Sequence, residues 1–291
     1  MKCFEGVHAE DLDVRPFKFS HKLMGHPALS LANLGEALPA LPKDQVFYSS
    51  GVLAKDDDFD RAHLDKKNGL SLEKTIETIR TSDSYIMVRS PEAHKSFQDL
   101  HRELKADVEE LMHGRGIKGE IEGSMLYLFI ASPNSVTPFH IDRYSTFLFQ
   151  FAGAKEVTVF PPCDDRVVPA ATAEGFMAQS GARPVWKPEL ESLGECFKFK
   201  PGEAIHIPFI SGHHVKNGAS DVSISMSIIF NTPQTMALSR AMLFNHKLRR
   251  ALKPVGIAPR AVGSADWRDM TKAQLWATAA KARHLIRGKR N

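Results

Sequence analysis

The chain has 291 residues, 43% hydrophobic and 25% charged, the balance of a soluble globular protein with ample length for a core. No run approaches the roughly 18 apolar residues that cross a bilayer, and acids follow Met1 too soon for a secretory leader to be expected. Three cysteines, Cys3, Cys163 and Cys196, make neither a disulfide framework nor a zinc ribbon, so a reducing cytoplasmic location is expected.

The net charge of +4 conceals an asymmetry. From Ser239 onward 13 Lys and Arg face two acids, Asp266 and Asp269, so this tail carries +11 and the rest of the chain −7. An acidic body with a basic tail suits either an anionic partner such as nucleic acid or a solvated helical tail packed on or between subunits.

In chain order, residues 1 to 45 read as irregular, broken by Pro16, Pro27, Pro39 and Pro42, with a short capped helix at 30–34. Phe47 to Gly51 reads as a strand ending in a glycine turn, and Lys55 to Lys67 as a charged loop. Ser71 caps a helix whose Leu72, Ile76 and Ile79 share one face. Tyr85 to Val88 is a short buried strand. Ser90 to Met112 is a long amphipathic helix striped by Phe97, Leu100, Leu104, Val108 and Leu111.

From Met125 the period shortens to that of strands. These are expected at 125–130, 147–151 and 155–160, the last two joined at Gly153-Ala154 and the third stopped by Pro161-Pro162. Residues 163–194 insert mixed helix and loop. Strands resume at 196–199, 204–208 and 222–230, and the last alternates Val222, Ile224, Met226 and Ile228 with Ser223, Ser225 and Ser227 as a barrel wall does. Short strands with tight turns indicate an antiparallel sandwich or barrel. Two helices follow, over 234–252 and 267–286.

The chemistry concentrates in Ser135-Val136-Thr137-Pro138-Phe139-His140-Ile141-Asp142. Side chains two apart in a strand project to one side, so His140 and Asp142 can share a metal ion. A further ligand must come from elsewhere, and Gly212-His213-His214-Val215 offers one. Two imidazoles and a carboxylate on one face of an octahedron leave the opposite face open, which suits non-haem Fe(II) oxygenases. The triplets His8-Ala9-Glu10, His63-Leu64-Asp65 and His101-Arg102-Glu103 have no apolar strand behind them and read as solvated surface.

Together with Gly153-Ala154-Lys155, Phe160-Pro161-Pro162, the run Pro201 to Pro208 and the run His213 to Asn217, this stretch resembles the JmjC and cupin-like Fe(II)/2-oxoglutarate oxygenases. It looks most like the bacterial cupin-like proteins and the hydroxylase branch exemplified by factor inhibiting HIF. The resemblance implies a mainly β fold with helical flanks: a double-stranded β-helix (jelly-roll, cupin) core over 121–233, an N-terminal mixed helix/strand region over 1–120, and a basic helical region over 234–291. It implies His140, Asp142 and His213 as the iron ligands and catalytic centre. The resemblance favours His213 over His214, since the family's distal His follows the strand-end Pro by five residues and precedes a Val by two, as His213 does with Pro208 and Val215. His206 is a rival, read as a supporting or pocket group.

The co-substrate implied is 2-oxoglutarate, whose buried distal carboxylate needs a cation and donors. Lys155, Thr137 and Tyr127 are implied as its binding residues, with Ser225 and Ser227 nearby. The activity implied is hydroxylation of a protein or peptide side chain, or of a small molecule, with release of succinate and CO2. Histone demethylation is disfavoured, since the chain lacks reader modules. The alternative is a non-catalytic cupin-like regulator that binds metal or ligand and associates with nucleic acid through the tail, although no nucleic-acid motif supports it. A metal cupin of the isomerase kind is disfavoured by Asp142. Leu243, Leu248, Leu252, Leu275 and Trp276 on the C-terminal helices suit a homodimer, and no membrane partner is expected.

Overall fold

A computed structural model describes residues 1–50, 53–57 and 72–288. The expected turn at Gly51, the cap at Ser71, the triplet at His63 and most of the charged loop lie outside the described residues. The strands are β1 Phe4–Glu5, β2 Phe17–His21, β3 Val46–Ser50, β4 Ser84–Arg89, β5 Glu122–Ala131, β6 Val136–His140, β7 Ser145–Ala152, β8 Lys155–Val159, β9 Glu195–Phe199, β10 Glu203–Ile207, β11 His213–Asn217 and β12 Ser223–Asn231. The helices are α1 Leu31–Ala40, α2 Leu72–Thr78, α3 Lys95–Gly114, α4 Ala170–Met177, α5 Pro233–Leu252 and α6 Trp267–Gly288. None of the described helices is long and apolar enough to cross a membrane.

The strands form two antiparallel sheets, one in the order β1-β2-β10-β7-β12-β5-β4-β3 and the other β6-β11-β8-β9. From β5 onward the chain crosses between the sheets, which is the double-stranded β-helix. Strand β7 shows how the layers are built. It is the inner neighbour of β10 and β12, and its alternation sends Phe147 and Phe149 to one face and Leu148 to the other. Phe147 and Phe149 join Phe4, Phe19 and the α3 stripe in the outer core. Leu148 joins Val157, Val159, Ile205, Ile207 and Val215 between the sheets. A third cluster, with Phe139, Phe160, Phe176 and Met242, lies under the 163–194 insertion and α5.

Two stretches differ from the sequence reading. Residues 1–45 are not merely irregular, because β1 and β2 extend the large sheet, with Phe17 opposite His206 and Ser20 opposite Glu203. The period-two run Phe17-Lys18-Phe19 carried that information, but prolines at 16 and 27 bracket it as breakers do a loop. The long helix begins later than Ser90, since Ser90 sits in the left-handed region at φ 52° and Pro91–Ala93 forms a 3-10 turn first.

The N-terminal strand is fastened to the helix by one carboxylate. Asp107 lies on the buried stripe of α3 and accepts the backbone N–H groups of Lys2 (2.8 Å), Cys3 (2.6 Å) and Phe4 (3.1 Å). Asp107→Ala strands those donors in a mostly buried setting and is expected to cost about 3 kcal/mol. The measurement is the urea midpoint at constant m-value; an unchanged midpoint would place the anchor of this strand elsewhere.

Candidate functional site

Strands β6 and β11 lie side by side in the small sheet, and their register sets His140 directly opposite His213. Val215 opposes Thr137, so two steps along β11 match three along β6. The extra residue of this bulge falls at Pro138-Phe139, where a proline has no N–H to contribute to the ladder. As a result Thr137 and His140, three apart rather than two, line the same inner chamber. Asp142 stands two residues beyond the end of β6, past the buried Ile141.

The two imidazoles are held alike. His140 Nδ1 lies 2.8 Å from Pro138 O, and His213 Nδ1 lies 3.0 Å from Ser211 O. A carbonyl only accepts, so each Nδ1 carries the proton and each Nε2 the lone pair that a metal needs. The ring centroids are 4.1 Å apart, and His213 Nε2 is 3.7 Å from Asp142 Oδ2. One ligand atom from each of His140, Asp142 and His213 lies within 4.8 Å of the others. Burial first, and His140 next, push His213 down to about 4, so it is neutral at neutral pH. The turn into β11 is tight. Buried Ile210 takes a left-handed φ of 60°, and a Cβ at Gly212 would lie 2.8 Å from the Phe139 ring.

The other two histidines point elsewhere. His214 faces the opposite side of the small sheet, with its ring 5.1 Å from Trp186 and Nε2 3.4 Å from Glu191 Oε2. His206 is not a pocket group. It turns toward the outer core, between Phe17 and Phe147, while its neighbours Ile205 and Ile207 face between the sheets. Its Nδ1 donates to Thr146 O (3.1 Å) and its Nε2 accepts the Asp13 N–H (3.0 Å), so both nitrogens are committed to structure.

The inner chamber, about 100 Å³, runs between the sheets from the His-Asp-His cluster to Lys155. Tyr127 and Ser227 are cross-strand partners, and both line it, as does Ser225. Lys155 is 6% exposed; its Nζ donates to Asn217 Oδ1 (2.8 Å), and Asn217 Nδ2 donates to Ser135 Oγ (2.6 Å). Burial pulls the Lys155 ammonium down to about 7, and no carboxylate among the described residues opposes that. Thr146 Oγ1 and Ser225 Oγ are buried in the chamber wall without a hydrogen-bond partner. A buried cation and two unsatisfied hydroxyls fit an anionic ligand.

Several residues here escaped the sequence reading. Tyr144 follows the motif closely, hydrogen-bonds with Tyr127, and is pushed upward first by burial and then by the charge of Asp142. Tyr85, Thr146 and Asn217 were missed too. An outer cleft of about 310 Å³ shares Met87, Tyr127, His140, Asp142 and Tyr144 with the chamber. Its remaining wall comes from 55–57, from Phe139, Ile141 and Arg143, and from the insertion; Arg143 donates to Phe176 O and Lys55 lies over the Trp186 ring.

A family profile for the cupin-like domain matches residues 34–236. The chain belongs to the cupin-like domain family. No curated protein sequence matches it. Among solved structures it is similar to YcfD, a ribosomal oxygenase from Escherichia coli, at 17% identity and a TM-score of 0.47, over 96% of this chain and 68% of that one. The complex of that oxygenase with cobalt and 2-oxoglutarate gives 18% identity and 0.46, over 92% and 64%. Oxalate decarboxylase from Bacillus subtilis gives 16% and 0.25, over 45% and 28%. This cupin-like chain thus spans about two thirds of YcfD's length.

Lys155 gives a stability prediction. The unfolded chain keeps this proton up to the ordinary lysine range and the folded chain releases it near 7, so between those values the unfolded state binds more protons and stability rises with pH. The penalty is full below about pH 7 and fades above it. In urea titrations Lys155→Met is therefore expected to stabilise the ligand-free protein at pH 7, with its advantage shrinking toward pH 10. A pH-independent difference would show that the ammonium is not desolvated.

Proposed function

We propose that the protein is an Fe(II)- and 2-oxoglutarate-dependent oxygenase that hydroxylates a side chain of a protein or peptide, with release of succinate and CO2. The observation that carries this reading is one continuous chamber with the His-Asp-His cluster at one end and a buried lysine lacking a carboxylate partner at the other. In this reading Nε2 of His140, Nε2 of His213 and the Asp142 carboxylate hold the iron. That donor set, two imidazole nitrogens and a carboxylate oxygen, fits Fe(II) and would leave positions for other ligands.

Lys155 takes the distal carboxylate of 2-oxoglutarate, with Thr137, Tyr127 and Ser227 as supporting groups and the Thr146 and Ser225 hydroxyls as further donors. When bound, iron and 2-oxoglutarate would supply oxidative decarboxylation with O2 as oxidant, one of its oxygen atoms going to succinate and the other into a C–H bond as hydroxyl. The protein's own residues orient and exclude water. The Pro138 and Ser211 carbonyls fix the imidazole tautomers. Leu148, Ile207 and Ile229 keep the chamber wall dry. The outer cleft brings substrate to the cluster between Tyr144 and the 183–186 wall. In this division the regions 1–120 and 234–291 serve as flanks to a catalytic core over 121–233.

Succinate release from 2-oxoglutarate with added Fe(II) tests the reading. The native chain is expected to turn over and His140→Ala to fall to background; equal turnover in both sinks the assignment. Cobalt titration of His213→Ala should show at least the roughly 10–100-fold loss that weaker, outer-shell changes already cause. A carboxylate beside Lys155 holds it in its charged form. Binding of 2-oxoglutarate above about pH 7 should therefore take up a proton and weaken as pH rises, a change that calorimetry in buffers of different ionisation enthalpy reads directly. Binding without proton uptake at pH 8 would remove Lys155 from the co-substrate site.

A further inference from the structure

Along the paired strands β8 and β11, Val159 opposes His213 and Lys155 opposes Asn217. Four residues of strand, roughly 13 Å, therefore separate the metal cluster from the far end of the barrel. There the surface opens into a second concavity of about 550 Å³, which shares Lys155 with the chamber but opens away from it.

Five lysines line this groove: Lys18 from β2, Lys155 from β8, Lys198 from β9, Lys200 from the turn after it and Lys216 from β11. Against them stand Glu156 and Glu203. Each glutamate pairs with one lysine, Glu203 with Lys18 and Glu156 with Lys198, both at 3.1 Å. Lys200 and Lys216 are exposed and have no ion pair among the described residues, and Lys155 is at the barrel end beneath them. The turn that carries Lys200 is fixed, since its backbone N–H donates to Glu203 Oε2 (3.0 Å) and Lys18 Nζ reaches the Lys198 carbonyl (3.3 Å). The concentration of positive charge is local, because the chain before Ser239 carries a net −7. Clustered like charges in a concave, ordered setting focus a field that attracts counter-charge.

We propose that this groove, which meets the co-substrate chamber only at Lys155, is a second anion site for a small ligand bearing two clustered phosphate or carboxylate groups. Lys200 and Lys216 supply its main charge, and Lys18 and Lys198 are held in place at its rim.

The test is calorimetric titration of the metal-free protein, without 2-oxoglutarate, at low ionic strength, with inorganic pyrophosphate in one arm and citrate in the other. Failure here is thus distinct from failure of the oxygenase reading. Saturable binding is expected that weakens as salt rises and that falls on the order of tenfold in Lys200→Ala/Lys216→Ala, two exposed changes each removing one surface charge. Cobalt binding and melting temperature should be unaltered in that variant. Binding of pyrophosphate alone assigns a phosphate-bearing ligand, and binding of citrate alone a carboxylate-bearing one. Absence of saturable binding in both arms, or affinity unchanged in the variant, overturns the proposal.

Discussion

The site depends on one register. Because β6 pairs with β11 so that His140 meets His213, two side chains 73 positions apart in the sequence stand across a single interstrand gap. A slip of one residue would turn one imidazole to the other face of the sheet, as His214 already is. The bulge at Pro138-Phe139 has a second effect, since it brings Thr137 back to the face that His140 uses. Upstream carbonyls then lock both rings, so the sheet itself supplies position, tautomer and orientation.

Lys155 is the counterweight to that rigidity. An ammonium group buried in a chamber walled by Leu148 and Val215 raises the free energy of the empty fold. Asn217 offers it one neutral acceptor, which satisfies a hydrogen bond but not a charge. An anion that enters the chamber regains that energy as affinity, because anything that binds only the folded state stabilises it. The same residue thus weakens the ligand-free protein and favours an anionic ligand.

The legible part of the chain was what period and spacing encode. The strip Phe97-Leu100-Leu104-Val108-Leu111 is the buried face of α3, and β5, β7, β8, β10 and β12 follow their apolar alternation. His140, Asp142 and His213 were singled out from motif and resemblance, and the fold brings them together. His206 shows the limit. Period two says only that it faces opposite to Ile205 and Ile207, and which of those faces looks into the chamber depends on what lies across the sheet. Tyr85 and Thr146 were illegible for a related reason: their strands come from distant parts of the chain, and only the topology directs them to one cavity. Asn217 lay within the run His213 to Asn217 that carried the resemblance, but its place opposite Lys155 came only from the strand register.

The outer cleft is mounted differently from the chamber. One of its walls is the 183–186 stretch of the insertion, a segment without regular structure. The insertion is nevertheless anchored. Glu174 on α4, 1% exposed, accepts both Nε (2.8 Å) and Nη2 (3.0 Å) of Arg249 and the amide of Asn245, both on α5. Arg143, one residue past Asp142, donates to Phe176 O and lies 4.0 Å from that ring. A buried carboxylate bound in this bidentate way is costly to separate from its partner. Helix α5 therefore fixes the insertion, and the insertion fixes the wall next to the cluster. Changes in 183–186 can reshape the outer cleft while the inner chamber, lined by strands apart from Asp142 and Tyr144, keeps its wall in place.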